Sequence, residues 1–440
     1  MTNQIRNIFI FLFLLIPITL ITGPAVPDLT ITFGGIFCLI WIIFKEEKKH
    51  LVQNNFIQIS FIFWLSLILI SFFAFNKEKS FQDSVIFIRY LLIPLCCYFI
   101  FFTNKYTIKY LLLISFISVV FVLFDTIFQF FNYSSKDGFG EDLLGFKSNW
   151  YGRLTGPFGN ELIPGSYVSK FGLVGFCYLL ISNNLKNKNF IQSIYLAIIL
   201  VVTFISGERM AFATFSLALF ILLLIMNKKR TTIGISIIFG LFLIFTMLKF
   251  HPFYNDYEVI ESNQYHQGLK IKKEFQCDYD SSKTCNKIIN IQPSFLEILK
   301  NFETSAYGEI YLLSFKMFKD NPLSGIGINN FNYLCNTENK YKNMMINYDC
   351  TSHPHNTYIQ WLTEGGIFVF VLFIIYLIIL IKFIIQNKGN KEFKIISLVL
   401  LVIMFWPIMS TGSLVKNWYG ISVFYIIGIS MCLSRVKLNN

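Results

Sequence analysis

The sequence has 440 residues, of which 55% are hydrophobic and only 14% are charged. Soluble domains are about 45–50% apolar, so this composition indicates a membrane protein and excludes an ordinary soluble enzyme. The formal net charge is +12, but the Lys and Arg residues lie in small groups at the ends of apolar runs. That placement is typical of membrane topology, so we expect membrane lipids and no nucleic acid as partners.

Apolar runs of about 16–25 residues, long enough to cross a bilayer, recur along the whole chain. They predict twelve transmembrane helices, at residues 7–22, 29–44, 56–75, 84–102, 110–131, 162–182, 190–205, 210–226, 231–249, 358–385, 396–411 and 418–434. The links are mostly short. We therefore predict an all-α polytopic membrane protein whose single integral membrane domain covers residues 1–440.

The basic residues of the links predict the orientation. With the N-terminus in the cytoplasm, the inside links carry 16 Lys and Arg residues and the short outside links carry 7. This bias predicts that both termini are cytoplasmic and that residues 132–161 and 250–357 face the periplasm. The first run resembles a signal-peptide core, but residues 24–27 form a poor cleavage site, so we expect it to stay as a helix.

Residues 250–357 form a large periplasmic loop, or subdomain, between the ninth and tenth predicted helices. In its second half, apolar residues recur at roughly helical spacing, at Ile310, Leu313, Phe315 and Phe318. We expect short helices lying on the membrane surface.

A turn should follow the last of these helices. Pro322 ends the helix because proline cannot continue it, and Gly325 and Gly327 in LSGIGINNF allow a tight turn. The turn would direct the chain back toward the predicted helix at residues 358–385.

Four cysteines fall in the large loop: Cys277, Cys285, Cys335 and Cys350. An oxidising periplasm would let them pair, and of the three possible pairings we favour the shortest loops, Cys277 with Cys285 and Cys335 with Cys350. Free thiols are the alternative. No CxxC spacing favours zinc, so no metal site is expected.

Charged residues gather at the outer ends of the predicted helices, where they are costly unless they have a function. Glu208 and Arg209 lie in the turn SGERMAF, which forms part of a site or merely ends two helices. Arg153 and Glu161 lie in NWYGRLTGPFGNELIPG, which is a connector or a re-entrant segment lining a cavity. Lys170 lies within a helix, where it snorkels or faces an anionic group.

A third polar group opens the predicted helix at residues 358–385, in TSHPHNTYIQWLTEGGIF, and comprises His353, His355, Asn356 and Glu364. A histidine titrates near neutral pH, so at a cavity mouth it can take a proton from a hydroxyl. A His-x-His metal site is the weaker interpretation because a third ligand has to be guessed. Arginine suits phosphate because its planar fork donates two hydrogen bonds. A lipid-linked phosphate substrate therefore fits an outer site of arginines, acids and histidines.

Three segments resemble the O-antigen ligase and O-antigen polymerase superfamily: SGERMAF, DNPLSGIGINNF and HPHNTYIQWLTEGGI. RLTGPFGNELIPG is also similar, and the resemblance covers about residues 150–420. It implies a GT-C-like, metal-independent membrane glycosyltransferase that needs no cofactor. The implied donor is a glycan linked to undecaprenyl diphosphate in the bacterial inner membrane. Ligases pass the glycan to lipid A-core, and polymerases pass it to a second lipid-linked glycan.

The resemblance also implies residue roles. His355, followed by Asn356, would be the general base, and Arg209, together with Arg153, would hold the diphosphate. We expect substrate contacts from Glu161, Lys170, Glu208, His353, Asn356 and Glu364, and structural roles for Pro322, Gly325, Gly327 and Gly366.

Three positions depart from the family pattern: Ala213, Val369 and the region around Glu309, where ligases often carry an arginine. Lys300 or Lys316 could replace that arginine. The missing arginine weakens the prediction of a ligase relative to a polymerase, although we still favour a ligase slightly. A lipid-linked sugar flippase and a protein O-oligosaccharyltransferase are further alternatives.

Overall fold

The computed structural model describes residues 3–44, 53–134, 137–150, 152–182, 186–255, 257–261, 271–279, 283–291 and 300–437. The first half of the chain contains α1 (Asn3–Leu14), α2 (Ile16–Thr19), α3 (Ala25–Phe44), α4 (Asn55–Ser71), α5 (Lys77–Ile86), α6 (Ile88–Leu95), α7 (Lys105–Phe131), α8 (Pro164–Ile181), α9 (Lys188–Ile205) and α10 (Arg209–Ile225). The second half contains α11 (Arg230–Phe250), α12 (Pro252–Asn255), α13 (Ala306–Asp320), α14 (Phe331–Thr337), α15 (Asn339–Lys342), α16 (Thr357–Gln386), α17 (Lys391–Met404) and α18 (Asn417–Leu433). A π-helix, Cys96–Phe101, continues α6.

Each of the twelve predicted apolar runs overlaps one or more helices, although the run at 7–22 is divided between α1 and α2 and the run at 396–411 is helical only as far as Met404. In the described residues, five helical stretches are long and apolar enough to cross a membrane: Lys77–Phe101, Lys105–Phe131, Lys188–Ile205, Asn227–Phe250 and Thr357–Gln386. Five shorter helices are also apolar. The structure is therefore mostly helical and suited to a bilayer, while twelve crossings stay a prediction. Helix α11 shows the lipid-facing type of surface, with Ile238, Phe242 and Phe245 each more than 60% exposed.

The sequence predicted only short helices in the large loop, but the structure contains strands as well. It contains a three-stranded antiparallel sheet with the order β3-β4-β5, formed by β3 (Tyr257–Glu261), β4 (Ile271–Tyr279) and β5 (Lys283–Ile291). A two-stranded pair, β1 (Tyr133–Ser134) and β2 (Gly138–Phe139), follows α7. The protein is mostly helical, as predicted, but the expectation of short helices in the large loop is corrected at β3, β4 and β5. Alternation of Phe275, Cys277 and Tyr279 is the period-two pattern of a strand, which overrode any helical preference.

The second half of the loop has a small apolar core of its own. Helix α13 buries Ile310, Leu313 and Met317, and these side chains cluster with Phe331 and Leu334 of α14. Their spacing on α13 gives the helix one apolar face. The core fixes α13 beside α16, where the Thr363 hydroxyl donates to the Ser314 carbonyl at 3.2 Å.

A break within α16 holds the turn that follows α13. At Gly366 the backbone has φ 66° and ψ −175°, which interrupts the helical ladder of hydrogen bonds. The turn supplies the missing partners: Ile326 N–H donates to the Thr363 carbonyl at 3.0 Å, and Gly327 N–H donates to the Glu364 carbonyl at 2.9 Å. In the other direction, Ile367 N–H donates to the Pro322 carbonyl at 2.9 Å. Near a bilayer, backbone groups freed by a break have to be satisfied within the protein, and here the turn does so.

The same turn also contacts the start of α5. Ile328 N–H donates to the Ser80 hydroxyl at 2.9 Å, and the Asn329 amide donates to the Asp83 carboxylate at 2.7 Å. Asn76 N–H donates to the Asn330 side chain at 2.7 Å. The turn therefore joins the N-terminal helices to α16.

Replacing Gly366 with alanine should destabilise the protein. A Cβ atom there would lie 2.3 Å from the Leu323 carbonyl oxygen, and the positive φ with extended ψ is a conformation almost restricted to glycine. We expect a loss of about 2–4 kcal/mol in the free energy of unfolding, measured by unfolding in detergent micelles. Gly234→Ala in α11 is the control, because its Cβ would meet only Leu223 at 3.8 Å. Equal losses in both variants would contradict the packing argument.

Candidate active site

A cavity of about 1600 Å³ opens at one end of the bundle. Five parts of the chain contribute most of its lining. They are the α1–α3 link, the segment between α7 and α8, the α9–α10 turn, the residues at the start of α13 together with those just before α16, and the segment between α17 and α18. Eight of the candidate site residues predicted from the sequence line the cavity: Arg153, Glu161, Lys170, Glu208, Arg209, His353, His355 and Asn356. The polar groups that are far apart in the sequence therefore share one cavity.

The α9–α10 turn brings two arginines to the cavity. Gly207 has φ 76°, and a Cβ there would lie 2.9 Å from the Gly152 carbonyl oxygen, so only glycine lets the two segments approach. Leu154 N–H donates to the Ser206 carbonyl at 3.2 Å. As a result Arg153 and Arg209, the first residue of α10, both reach the cavity, and each is partly exposed.

Glu208 caps a helix. Its carboxylate accepts Gly165 N–H at 2.6 Å and Ser166 N–H at 3.0 Å, at the start of α8. These amides have no partner within α8, so the carboxylate satisfies two of the helix's unpaired donors. Burial raises the pKa of Glu208 to about 7, opposed by the Gly165 hydrogen bond and by Arg153. Glu208 thus holds α8 in place as well as lining the cavity.

Lys170 lies one turn further along α8 and is buried. Its Nζ donates to the Ser166 hydroxyl at 2.6 Å and lies 5.8 Å from the centroid of the Tyr419 ring. Its side chain therefore faces the cavity and does not snorkel outward. Glu161 is exposed at the cavity lining.

The two histidines lie against each other, with ring centroids 4.1 Å apart. His353 is 7% exposed, and both ring nitrogens have partners, the Thr411 carbonyl at 3.1 Å and the Ser352 hydroxyl at 2.8 Å. Burial, with a smaller contribution from His355, lowers the pKa of His353 to about 3. A histidine held in this way supports its neighbour and has no ring nitrogen to spare for a substrate.

His355 is the more open of the pair. Its backbone adopts φ 54°, and its carbonyl accepts Thr411 N–H at 2.7 Å, which fixes the residue at the cavity. Burial lowers the pKa of His355, and the Thr411 backbone opposes this shift. A lowered pKa keeps the imidazole neutral at neutral pH, which is the form that accepts a proton.

Asn356 uses its side chain to hold the structure together. Its Oδ1 accepts Tyr358 N–H at 3.0 Å and Ile359 N–H at 3.1 Å, capping α16. Its Nδ2 donates to the carbonyls of Pro407 at 2.8 Å and Met409 at 3.2 Å. Asn356 thereby joins α16 to the segment before α18.

Glu364 does not line the cavity. It is fully buried in α16, where its carboxylate accepts the Gln360 amide at 3.0 Å and Phe331 N–H at 3.4 Å. The substrate contact expected there from the sequence is replaced by a packing role, because Glu364 lies two turns into α16 and faces α14.

The two lysines that the sequence suggested in place of the family's arginine lie outside the cavity lining. Lys316 pairs with Asp320 at 2.6 Å on the surface, and neither it nor Lys300 lines the cavity. Glu309 accepts Asn347 N–H at 3.2 Å and the Asn347 amide at 2.5 Å. Lys416 does line the cavity, and sequence reasoning had counted it only as an outside charge. The sequence around Lys416 contains no motif that would have predicted its place in the cavity.

One of the two disulfide bonds predicted for the large loop is present among the described side chains. Cys335 and Cys350 form a disulfide with 5.9 Å between their Cα atoms. Cys277 and Cys285 are opposite each other in the register of β4 and β5, but their side chains lie outside the described part, so that bond stays a prediction. Five cysteines in the helices are free and buried. Within the described ranges no group of three or more His, Cys, Asp or Glu residues is arranged to hold a metal ion.

An apolar helical protein with a cavity lined by basic side chains has features that suit a bilayer and an anionic group. Residues 194–374 match a family model described as O-antigen ligase, a range that includes Arg209, the turn at Pro322 and His355. This match supports a place for the chain in the O-antigen ligase superfamily. No curated protein matches the sequence. The family indicates a bacterial membrane protein with ligase or polymerase type function on lipid-linked glycans in general.

Asn356→Ala should destabilise the protein more than the loss of an ordinary cap. We expect about 2–4 kcal/mol, because two capping bonds and two bonds to another segment are lost. The matched control is Asn104→Ala, since the exposed Asn104 side chain caps α7 through Tyr106 N–H and Thr107 N–H and, among the described residues, bonds only within that cap. It should cost about 1 kcal/mol in the same unfolding measurement. Similar losses would show that the bonds to Pro407 and Met409 contribute little.

Proposed function

We propose that the protein is a membrane glycosyltransferase of the ligase type. It transfers a glycan from undecaprenyl diphosphate to an acceptor hydroxyl of surface polysaccharide, with lipid A-core as the acceptor. The observation that carries the proposal is the convergence of four basic side chains, Arg153, Lys170, Arg209 and Lys416, on the cavity that also holds His355. The membrane location supports a donor whose lipid part stays in the bilayer.

The basic side chains match a diphosphate. Arginine forks donate paired hydrogen bonds to phosphate oxygens, and their charge does not depend on pH. Arg153 Nε is buried and has no hydrogen-bond partner among the described residues, so a phosphate oxygen would supply one. The acids nearby leave this charge available, since Glu208 is engaged by two backbone amides of α8. We assign Arg153 and Arg209 to the diphosphate, with Lys170 and Lys416 adding positive charge.

The transfer itself needs one base and a stabilised leaving group. The acceptor oxygen attacks the anomeric carbon and forms the new glycosidic bond, while the bond from that carbon to the diphosphate oxygen breaks. The hydroxyl proton passes to His355, and the electron pair leaves with undecaprenyl diphosphate. The basic side chains stabilise the charge that develops on this leaving group, which is a metal-independent route.

We also propose that both termini are cytoplasmic and that the cavity faces the periplasm of the inner membrane. The Cys335–Cys350 disulfide supports this orientation, because such bonds persist in oxidising compartments. The undecaprenyl-linked donor and the lipid A-core acceptor would then meet on the same side.

Variants of Arg209 and His355 test the proposal in a purified system with undecaprenyl-diphosphate-linked glycan and lipid A-core. Arg209→Ala should lower kcat about 100- to 1000-fold, and His355→Ala about 100- to 10,000-fold. Arg209→Lys should still lower kcat about tenfold, because lysine cannot donate the two parallel hydrogen bonds of a guanidinium group. Product is measured as glycan attached to lipid A-core.

The control is Arg230→Ala, since exposed Arg230 lies just past the other end of α10, and its transfer rate should change by less than about twofold. Near wild-type transfer by the Arg209 and His355 alanine variants would remove both roles. Lengthened lipid-linked glycan as the product would instead identify a polymerase, and glycan on protein a protein O-oligosaccharyltransferase. Movement of intact lipid without covalent product would identify a flippase.

The pH dependence of kcat/KM should report His355. Its pKa is lowered from 6.5, so the neutral base persists through neutral pH and the rate should fall only below about pH 6.5 as the ring becomes protonated. Burial raises the pKa of Glu208 to about 7, so Glu208 would titrate in the same pH range. The profile is therefore best measured in the Glu208→Gln variant, which lacks this ionisable group. A fall in rate that begins above pH 7 in this variant would contradict His355 as the base.

A further inference from the structure

The cavity is lined by aromatic as well as basic side chains. The basic residues belong to α8, to α10, to the segment before α8 and to the segment before α18. A second set, which we call the aromatic wall, belongs to the large loop and consists of Phe302, Tyr307, Tyr311 and Tyr348. The proposed donor site accounts for the first set and leaves the aromatic wall without a ligand.

The aromatic wall lies on one face of α13. Tyr307 and Tyr311 are four residues apart, so they share a face and both line the cavity, while Ile310 and Leu313 turn into the core of the loop. Tyr311 lies at the boundary, since it also packs against that core. Tyr307 is 37% exposed. The helix thus has an apolar face for its own packing and a second, aromatic face for the cavity.

Local bonds hold the wall in place. Ser305 caps α13 by accepting Gly308 N–H at 3.1 Å. A Cβ on Gly308 would lie 1.7 Å from the Phe302 carbonyl oxygen, so glycine is required for Phe302 to fold back toward Tyr311. Their ring centroids are 5.9 Å apart. A binding surface with this support is formed before the ligand arrives.

The wall also reaches the proposed base. The ring centroids of Tyr307 and His355 are 6.0 Å apart, and the two rings meet edge to face at 79°. Tyr307 and Tyr311 are 6.3 Å apart and tilted by 44°, so neither ring covers the face of the other. A group bound on the face of Tyr307 would lie beside the imidazole of His355.

We propose that the aromatic wall is the acceptor subsite and that it binds the acceptor as a sugar ring. This inference rests on the proposed function and names the class of acceptor used at the same site. The C–H face of a pyranose packs on a flat aromatic ring, and tyrosine hydroxyls hydrogen-bond to the ring hydroxyls. Tyrosine also loses little conformational entropy on binding. A sugar held on Tyr307 presents a hydroxyl to His355, while the diphosphate lies with the basic residues.

The test compares the KM values for the two substrates. The acceptor probe is rough lipopolysaccharide, which carries lipid A-core without O-antigen, and the donor is undecaprenyl-diphosphate-linked glycan. Tyr307→Ala should raise the acceptor KM about tenfold and leave the donor KM unchanged. Tyr307→Phe keeps the ring and should stay within about threefold of wild type. Tyr333→Ala is the control, because Tyr333 is similarly exposed, at 40%, in the same loop but does not line the cavity.

Several outcomes would overturn the acceptor subsite. An unchanged acceptor KM in Tyr307→Ala, or an equal rise in both KM values, would do so, and so would transfer to a Ser/Thr-rich peptide in place of the sugar. If Tyr307→Ala does not fold, Tyr307→Leu takes its place, since it retains apolar volume but not the flat ring. Absence of any covalent product from the wild-type protein would instead overturn the proposed function. Normal transfer with an unchanged acceptor KM would overturn only the subsite.

Discussion

The break in α16 at Gly366 is the constraint on which the site depends. An interrupted helix exposes backbone donors and acceptors, and next to a bilayer these have to be paired within the protein. The turn at Pro322 pairs with both sides of the break through Ile326, Gly327 and Ile367. Because the turn follows α13 and the break lies in α16, this exchange of hydrogen bonds fixes the large loop over the helix that begins beside His355.

The same principle fixes the opposite part of the cavity. Gln129, near the end of α7, accepts Thr155 N–H at 3.1 Å and Gly156 N–H at 2.9 Å, which holds the segment that carries Arg153. Glu208 pairs with the free amides of α8, and Asn356 pairs with those of α16. Polar side chains that look like candidates for chemistry are thus occupied with unpaired backbone groups. The basic residues and His355 are positioned by them and face the cavity.

This division explains how far the sequence could predict the structure. Apolar runs identified the helices, and the motifs identified Arg209, His355 and the turn, because periodicity and spacing are local properties. The sequence could not separate Asn356 and Glu364 from substrate contacts, since their partners at Pro407 and Phe331 are set by tertiary packing. Lys416 was missed for the same reason. The sheet at residues 257–291 was missed because polar residues obscured its alternation.

The charge of the cavity depends on which carboxylates already accept hydrogen bonds from the protein. Glu208 accepts two amides, and Glu309, in the region where the family resemblance implies an arginine, accepts the backbone and side chain of Asn347. Glu309 therefore has a supporting role, since it ties the segment carrying Tyr348 to α13. Lys416, on the other side of His355 in the sequence, adds a positive charge to the cavity lining. The field in the cavity is the sum of all its charges, so it does not depend on the residue at any one motif position.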